Sequence, residues 1–137
     1  MKSFLIFCVG FYSLAVFACA EHLDCDKATS TMDINQCAAM ELEKAQQQLT
    51  DYLDAALQQH GEDAELLAAM AQAQQDWERY ANSQCQTVYT QWRDGSIRTV
   101  AALTCKTQLT KERTLQLWQH FLSPADTTAA LLPEPSF

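Results

Sequence analysis

The chain has 137 residues, a formal net charge of −8 and six cysteines. This length suffices for one domain and argues against several. The excess of acidic residues argues against nucleic acid or an anionic membrane surface as a partner, and it permits a basic protein partner.

Residues 1–20 have the features of a secretory signal. Lys2 supplies a short positive region, a long apolar run follows, and small residues up to Ala20 favour cleavage after that residue. The apolar run is too short for a comfortable membrane span. Lipoprotein processing at Cys19 is the alternative. We therefore expect a periplasmic or secreted protein, and removal of Lys2 lowers its net charge from −8 to −9.

Export determines how the cysteines are interpreted. Two of the six fall within the predicted signal, and the mature chain keeps Cys25, Cys37, Cys85 and Cys105. Four cysteines in an oxidising compartment predict two disulfides. The mature chain contains no Cys-x-x-Cys, and its three histidines lack ligand-like spacing. We therefore expect neither a metal site nor a cofactor.

The first predicted helix covers about residues 31–59. Thr29, Ser30 and Thr31 offer N-cap oxygens just before it. Its apolar positions alternate by four and three residues, and they are Ile34, Ala38, Leu42, Ala45, Leu49, Tyr52 and Ala56. His60-Gly61 should end the helix, with Gly61 in the left-handed position that follows many helices.

The second predicted helix covers about residues 63–86. Its length is close to that of the first and it follows a short link, so the two are expected to form an antiparallel hairpin. Trp77 is the largest side chain of its apolar face and should nucleate the core. The positions expected to face inward are Leu66, Met70, Ala73, Trp77, Tyr80 and Gln84.

The hairpin suggests a disulfide pairing. Cys37 and Cys85 each lie 24 residues from Gly61, hence about 36 Å from the bend. Facing Cα atoms of packed helices come within disulfide reach, so we predict Cys37–Cys85 with Cys25–Cys105. The local pairing, Cys25–Cys37 with Cys85–Cys105, stays open, because chain entropy separates long and short loops by only about 1 kcal/mol each. Cys25–Cys85 with Cys37–Cys105 stays open too.

Residues 87–98 interrupt the helical pattern. Threonine and valine disfavour a helix slightly, and Asp94-Gly95-Ser96 is a turn signal. The segment combines aromatic residues with arginines, which are enriched at binding hot spots. The candidate partner-binding residues are Tyr89, Trp92, Arg93, Ser96 and Arg98. Alternatively, Trp92 covers the open end of the helix bundle.

A third helix is predicted over about residues 97–122, before Pro124. Its inward positions are less regular: Cys105, Leu109, Leu115, Trp118, Phe121 and Leu122. The expected fold is therefore an all-α three-helix bundle stapled by two disulfides, forming one domain over residues 21–123. The tail over residues 124–137 contains three prolines and should be flexible or loosely docked. Alternatively, its apolar residues cover a groove, and these are Leu131, Leu132 and Phe137.

Several motifs together resemble one protein family. In chain order they are Asp33-Ile34-Asn35-Gln36-Cys37, Ala73-Gln74-x-x-Trp77-x-x-Tyr80, Cys85, Gly95-Ser96, Cys105 and Leu109-Thr110-x-x-Arg113. Over about residues 25–117 the chain resembles the LprI-type lysozyme inhibitor domain, a family of small exported bacterial proteins. The resemblance implies a helical four-cysteine fold and inhibition of lysozyme.

The chain also departs from the family pattern. Ala81-Asn82 replaces the usual Arg-Asp pair, Thr50 replaces an asparagine, and Asp94-Gly95 replaces a glycine pair. The first change removes an ion pair that the family pattern implies and leaves the expected fold intact. Fold transfers between relatives more reliably than activity does.

The sequence favours a binding protein over an enzyme. It contains no H-E-x-x-H, no G-x-S-x-G and no phosphate loop, and oxidised cysteines cannot act as nucleophiles. We expect an inhibitor of a lysozyme or related peptidoglycan hydrolase, with a basic enzyme as the partner. The alternatives are an envelope adaptor or immunity-type protein with a non-lysozyme partner, and a structural envelope protein without a defined partner.

Overall fold

The computed structural model describes residues 23–123 and 130–137. The predicted signal, its cleavage site and Cys19 lie outside these residues. Three helices account for most of the described chain: α1 (Thr31–Gln59), α2 (Ala64–Gln91) and α3 (Arg98–Leu117). The described residues contain two disulfides and no strand. The predicted all-α three-helix bundle is therefore confirmed. None of its helices is both long and apolar enough to cross a membrane.

Side-chain caps explain where α1 and α2 begin. The Ser30 hydroxyl oxygen accepts a hydrogen bond from the Asp33 backbone N–H at 3.1 Å, and the Asp63 carboxylate accepts one from the Leu66 N–H at 2.9 Å. Each cap satisfies a donor that the first turn leaves free, which is worth about 1 kcal/mol. The predicted bounds of α1 are confirmed. The left-handed conformation expected at Gly61 is wrong, because neither described glycine has a positive φ.

α2 extends about one turn further than predicted. Thr87 and Thr90 continue the helix, and their hydroxyls donate to main-chain carbonyls of the preceding turn at 2.6 and 2.9 Å. The expected interruption from residue 87 is therefore wrong, and Tyr89 belongs to α2. The connection to α3 is correspondingly short.

The third helix packs against both of the others. α1 and α2 approach α3 closely along their lengths, whereas they approach each other much less. The inner side of α3 carries Thr110, Thr114 and Leu117, which are all buried. Both threonine hydroxyls donate to carbonyls four residues earlier, at 2.8 and 2.9 Å. Because the polar groups are satisfied within the helix, these small side chains can line a tightly packed face.

The hydrophobic core lies at the end of the bundle where α1 joins α2. Tyr52, Ala56, Met70 and Leu122 form a buried cluster there, which we call the core end. The predicted apolar stripe of α1 is buried from Leu42 onwards. Its first member, Ile34, is 37% exposed. The hydrophobic stripe is thus buried only after about the first three turns of α1.

The buried face of α2 is rotated from the predicted one. Met70 is buried as expected, but the next buried positions are Gln74, Ala81 and Cys85. The expected inward residues Ala73, Tyr80 and Gln84 are exposed, and Trp77 is half-buried. The shift is one residue, or about 100° around the helix. It brings the side of α2 that carries the cysteine, rather than its aromatic side, against α3.

A π-helical turn and the chain terminus close the core end. The turn, Trp118–Leu122, follows α3 directly. Its Trp118 indole N–H donates to the Leu132 carbonyl at 3.1 Å, and the Tyr52 hydroxyl donates to the Pro133 carbonyl at 2.8 Å. Leu132 also packs against the core cluster. Residues 130–137 therefore lie against α1 and the end of the third helix through Leu132, whereas Leu131 and Phe137 are exposed.

Both disulfides lie toward the opposite end, which we call the disulfide end. Cys25–Cys37 ties a short 3-10 helix (Cys25–Lys27) to α1, with Cα atoms 5.7 Å apart. Cys85–Cys105 ties α2 to α3 at 5.6 Å. The predicted pairing of Cys37 with Cys85, and of Cys25 with Cys105, is wrong; the local pairing is present. The reason is that α3, rather than α1, packs against the cysteine-bearing face of α2.

Candidate functional site

The connection between α2 and α3 forms a compact turn at the disulfide end. We call residues 92–97 the connecting turn. The Gly95 N–H donates to the Trp92 carbonyl at 2.8 Å, and the Arg98 N–H donates to the Gly95 carbonyl at 3.4 Å. At its start, the Trp92 N–H still bonds to the carbonyl of Val88 at 3.3 Å. The backbone of the turn is therefore held by its own hydrogen bonds.

Three of the five predicted binding residues are exposed on this turn. Trp92 keeps 43% of its surface exposed, and the Arg93 side chain is 70% exposed. Ser96 is exposed as well. The nearest acidic group to Arg93 is Asp94 at 3.9 Å, a long and solvated ion pair that contributes little. The indole and guanidinium are thus accessible to a partner.

The other two predicted residues support the turn from the flanking helices. The Arg98 guanidinium lies over the Tyr89 ring, 5.3 Å from its centroid. Arg98 also donates to the Arg93 carbonyl at 3.3 Å. This cation–π contact joins the end of α2 to the start of α3. The structure therefore brings all five residues to one end of the molecule, where Tyr89 is half-buried and the other four are exposed.

The Cys85–Cys105 disulfide encloses the whole segment that carries the turn. Its cysteines are 20 residues apart in sequence, and Cys85 is only 1% exposed. Closing a loop of this length stabilises the fold by about 3 kcal/mol. The turn is thus fixed by a covalent bond at its base and by hydrogen bonds at its tip.

Sequence reasoning missed apolar residues that lie at the same end. Met32 is 77% exposed and Ile97 is 45% exposed. Near Met32, the starts of α1 and α3 form an open groove of about 590 Å³. The side-chain oxygen of Asn35 in this groove is buried without a hydrogen-bond partner. The available signal for Met32 was its position in the first turn of α1, off the apolar stripe that begins at Ile34.

The described residues contain no group of three or more histidine, cysteine or acidic side chains placed to hold a metal ion. The disulfide end offers groups that suit contact with a partner surface. It presents an aromatic surface, a cation, a hydroxyl and neighbouring apolar side chains on a fixed backbone.

Comparisons with known proteins agree with the family motifs. A curated relative, an uncharacterized protein of Rhizobium meliloti (strain 1021), is 31% identical over 105 residues, covering 69% of this chain and 76% of the relative. No solved structure matches the chain significantly. The family described as lysozyme inhibitor LprI matches residues 25–117, from the first disulfide cysteine to the last residue of α3. The chain therefore belongs to the LprI lysozyme inhibitor family.

Proposed function

We propose that the mature chain is an exported, non-catalytic inhibitor of a lysozyme or related peptidoglycan hydrolase, and that it binds through the connecting turn. The observation that carries the proposal is the exposed Trp92–Arg93 pair on a disulfide-braced turn, in a member of a lysozyme inhibitor family. The two disulfides favour an oxidising compartment.

The chemistry of the turn suits the cleft of a glycoside hydrolase. Such clefts generally carry a pair of carboxyl groups on either side of the scissile bond. The Arg93 guanidinium can donate two parallel hydrogen bonds to a carboxylate. Trp92 supplies a large rigid surface of the kind that dominates binding hot spots. Together they can occupy a cleft and exclude the substrate.

The net charge of the chain and the local charge of the turn act on a partner at different distances. The mature chain carries about nine excess negative charges, which accelerate encounter with a basic enzyme at low ionic strength. Arg93 and Arg98 provide a local positive region where the turn would meet catalytic carboxylates. Long-range attraction and short-range recognition therefore do not conflict.

Rigidity favours this mode of binding. A flexible loop loses conformational entropy when it enters a cleft, which lowers affinity. Here the Tyr89–Arg98 contact and the Cys85–Cys105 bond fix the turn before binding. Less ordering is required on association, so a small contact surface can bind effectively.

The test is an inhibition assay of peptidoglycan lysis with the oxidised mature protein against lysozymes of several types. We expect inhibition of at least one enzyme at micromolar concentration, weakened by high salt. The double variant Trp92→Ala/Arg93→Ala should weaken it by about 30-fold or more, as loss of a hot spot of about 2 kcal/mol does.

A matched control lies on the middle of α2. Tyr80 is 55% exposed and the Arg79 side chain is 68% exposed, far from the turn. Tyr80→Ala/Arg79→Ala should leave inhibition unchanged. The proposal is wrong if no enzyme of the panel is inhibited, or if both double variants behave alike. Capture of a non-hydrolase from periplasmic extract would support the adaptor alternative instead.

A further inference from the structure

A second concave site lies midway along the bundle, between α1 and α2. Residues of both helices line a cleft of about 370 Å³ there, together with Thr110 of α3. This volume falls within the range of small-molecule sites, about 300–1,000 Å³. The cleft is separate from the connecting turn, and hydrolase inhibition makes no use of it.

Trp77 borders this cleft and is not part of the buried core. It is the aromatic residue of the Ala-Gln-x-x-Trp motif, yet it is only half-buried. The rotation of α2 places Gln74 and Ala81, instead of Trp77, against α3. The indole thus keeps a partly exposed surface at the border of the cleft, where a ligand can reach it.

A fixed polar network forms one wall of the cleft. Gln74 is 9% exposed, and its amide N–H donates to the Glu78 carboxylate at 3.1 Å. Its side-chain oxygen accepts from the Arg113 Nε–H at 3.2 Å. Burial lowers the pKa of the Arg113 guanidinium. The orientation of the Gln74 amide is thus determined from both sides before any ligand enters.

The remaining polar side chains around the cleft are mostly neutral. Gln46 and Thr50 project from α1, and Asn82 projects from α2. Amides and hydroxyls each donate and accept hydrogen bonds, so they match a ligand that carries many hydroxyls. Among the described residues that line the cleft, only Glu78 is charged, and the chain as a whole is acidic. Both facts disfavour an anionic ligand.

We propose that this cleft binds a neutral pyranose saccharide. A pyranose ring presents an apolar C–H face, which can stack on the Trp77 indole, and a rim of hydroxyls for Gln46, Thr50 and Asn82. Glu78 can accept a further hydroxyl hydrogen bond. The cleft is separate from the connecting turn, so saccharide binding and hydrolase inhibition can be tested independently.

The experiment is a ¹H–¹⁵N titration of the oxidised mature protein with diacetylchitobiose, cellobiose and maltose. The chain has three tryptophans, so each indole N–H gives its own signal. We expect one of the saccharides to shift the Trp77 signal saturably, with a Kd on the order of 1 mM. The signals of Trp92 and Trp118 should stay unchanged.

Variants on the cleft rim separate binding from folding. Gln46 and Asn82 are exposed helix residues, and Gln46→Ala and Asn82→Ala should each weaken saccharide binding several-fold through the loss of hydrogen bonds. Gln58→Ala and Gln75→Ala remove exposed glutamines of the same helices outside the cleft and should have no effect. Trp92→Ala/Arg93→Ala should also leave saccharide binding unchanged.

Three results would overturn the proposal. The first is that none of the saccharides shifts the Trp77 signal. The second is that both rim variants bind saccharide as tightly as the parent does. The third is that triglycine, a small peptide without net charge, shifts the Trp77 signal with equal affinity. That last outcome would indicate a peptide site.

Discussion

The two ends of the bundle are held together by different kinds of interaction. At the core end, Tyr52, Ala56, Met70 and Leu122 are each at most 7% exposed, and the docked terminus covers them. At the disulfide end, three apolar side chains stay exposed: Met32, Trp92 and Ile97. Two disulfides connect the helices there. Packing stabilises one end, and cross-links stabilise the other.

This difference has a consequence for function. Hydrophobic stabilisation requires that apolar surface be removed from water. A disulfide acts largely by restricting the unfolded chain, so it stabilises the fold without burying its neighbours. The disulfide end can therefore keep an aromatic and apolar surface exposed and still be well ordered, which is what binding to another protein requires.

The largest expected effect is at the core end. Leu122→Ala removes a side chain that is 1% exposed in the core cluster. We expect the free energy of unfolding to fall by about 3–5 kcal/mol, measured by urea denaturation. The control is Leu131→Ala, because Leu131 is 55% exposed and should change stability by no more than about 0.5 kcal/mol. Equal losses in the two variants would contradict the assigned core.

The next effect separates the two cross-links. Cys85→Ala/Cys105→Ala and Cys25→Ala/Cys37→Ala should each lower the free energy of unfolding by about 3 kcal/mol, because their loops are of similar length. Only the first pair encloses the connecting turn, so only its loss should weaken lysozyme inhibition under conditions where both variants remain folded. If both double variants inhibit equally well, the disulfide does not support the turn.

A smaller effect is expected where the terminus docks. Tyr52→Phe removes the hydrogen bond from the hydroxyl to the Pro133 carbonyl. It should lower the free energy of unfolding by about 1 kcal/mol. Hydrogen exchange of residues 130–137 should rise at the same time. Unchanged exchange would show that this bond does not hold the terminus.

The same tyrosine predicts a change at alkaline pH. Burial raises the pKa of the Tyr52 phenol above its ordinary value of about 10. Because the folded state favours the neutral phenol, this contribution is present below about pH 10 and is lost as pH rises through the folded-state pKa. Stability of the parent should fall more steeply over that range than stability of Tyr52→Phe. If the stabilities of the parent and of Tyr52→Phe fall in parallel with rising pH, this prediction is contradicted.

The smallest effect on stability is expected at the connecting turn. Trp92→Ala should change the free energy of unfolding by less than about 0.5 kcal/mol, although a buried tryptophan would cost about 3–5 kcal/mol. Thermal unfolding measures this directly. A large loss of stability would mean that Trp92 covers the end of the bundle and serves the fold.

Local sequence patterns predicted the helices well and their mutual arrangement poorly. The bounds of α1 follow from a regular apolar repeat and a serine cap, so they could be read from neighbouring residues. The buried face of α2 could not be predicted from neighbouring residues. Trp77 and Tyr80 are more hydrophobic than Gln74, but Gln74 is buried because Arg113 of α3 satisfies its side-chain oxygen. That partner lies 39 residues away.

The candidate site was predictable in composition and not in geometry. Aromatic residues and arginines near a turn signal indicated Tyr89, Trp92, Arg93 and Arg98 from sequence. Their arrangement depends on the extra turn of α2 and on the Tyr89–Arg98 contact. Neither is encoded in the spacing of the segment.

The sequence by itself determined three helices, two disulfides and family membership, because periodicity, caps, cysteine number and motifs are local properties. Only the tertiary structure decided which cysteines pair, which side of α2 is buried and where the terminus lies. Those features depend on α3 packing against both other helices, and this packing is a balance of contacts between residues far apart in the chain.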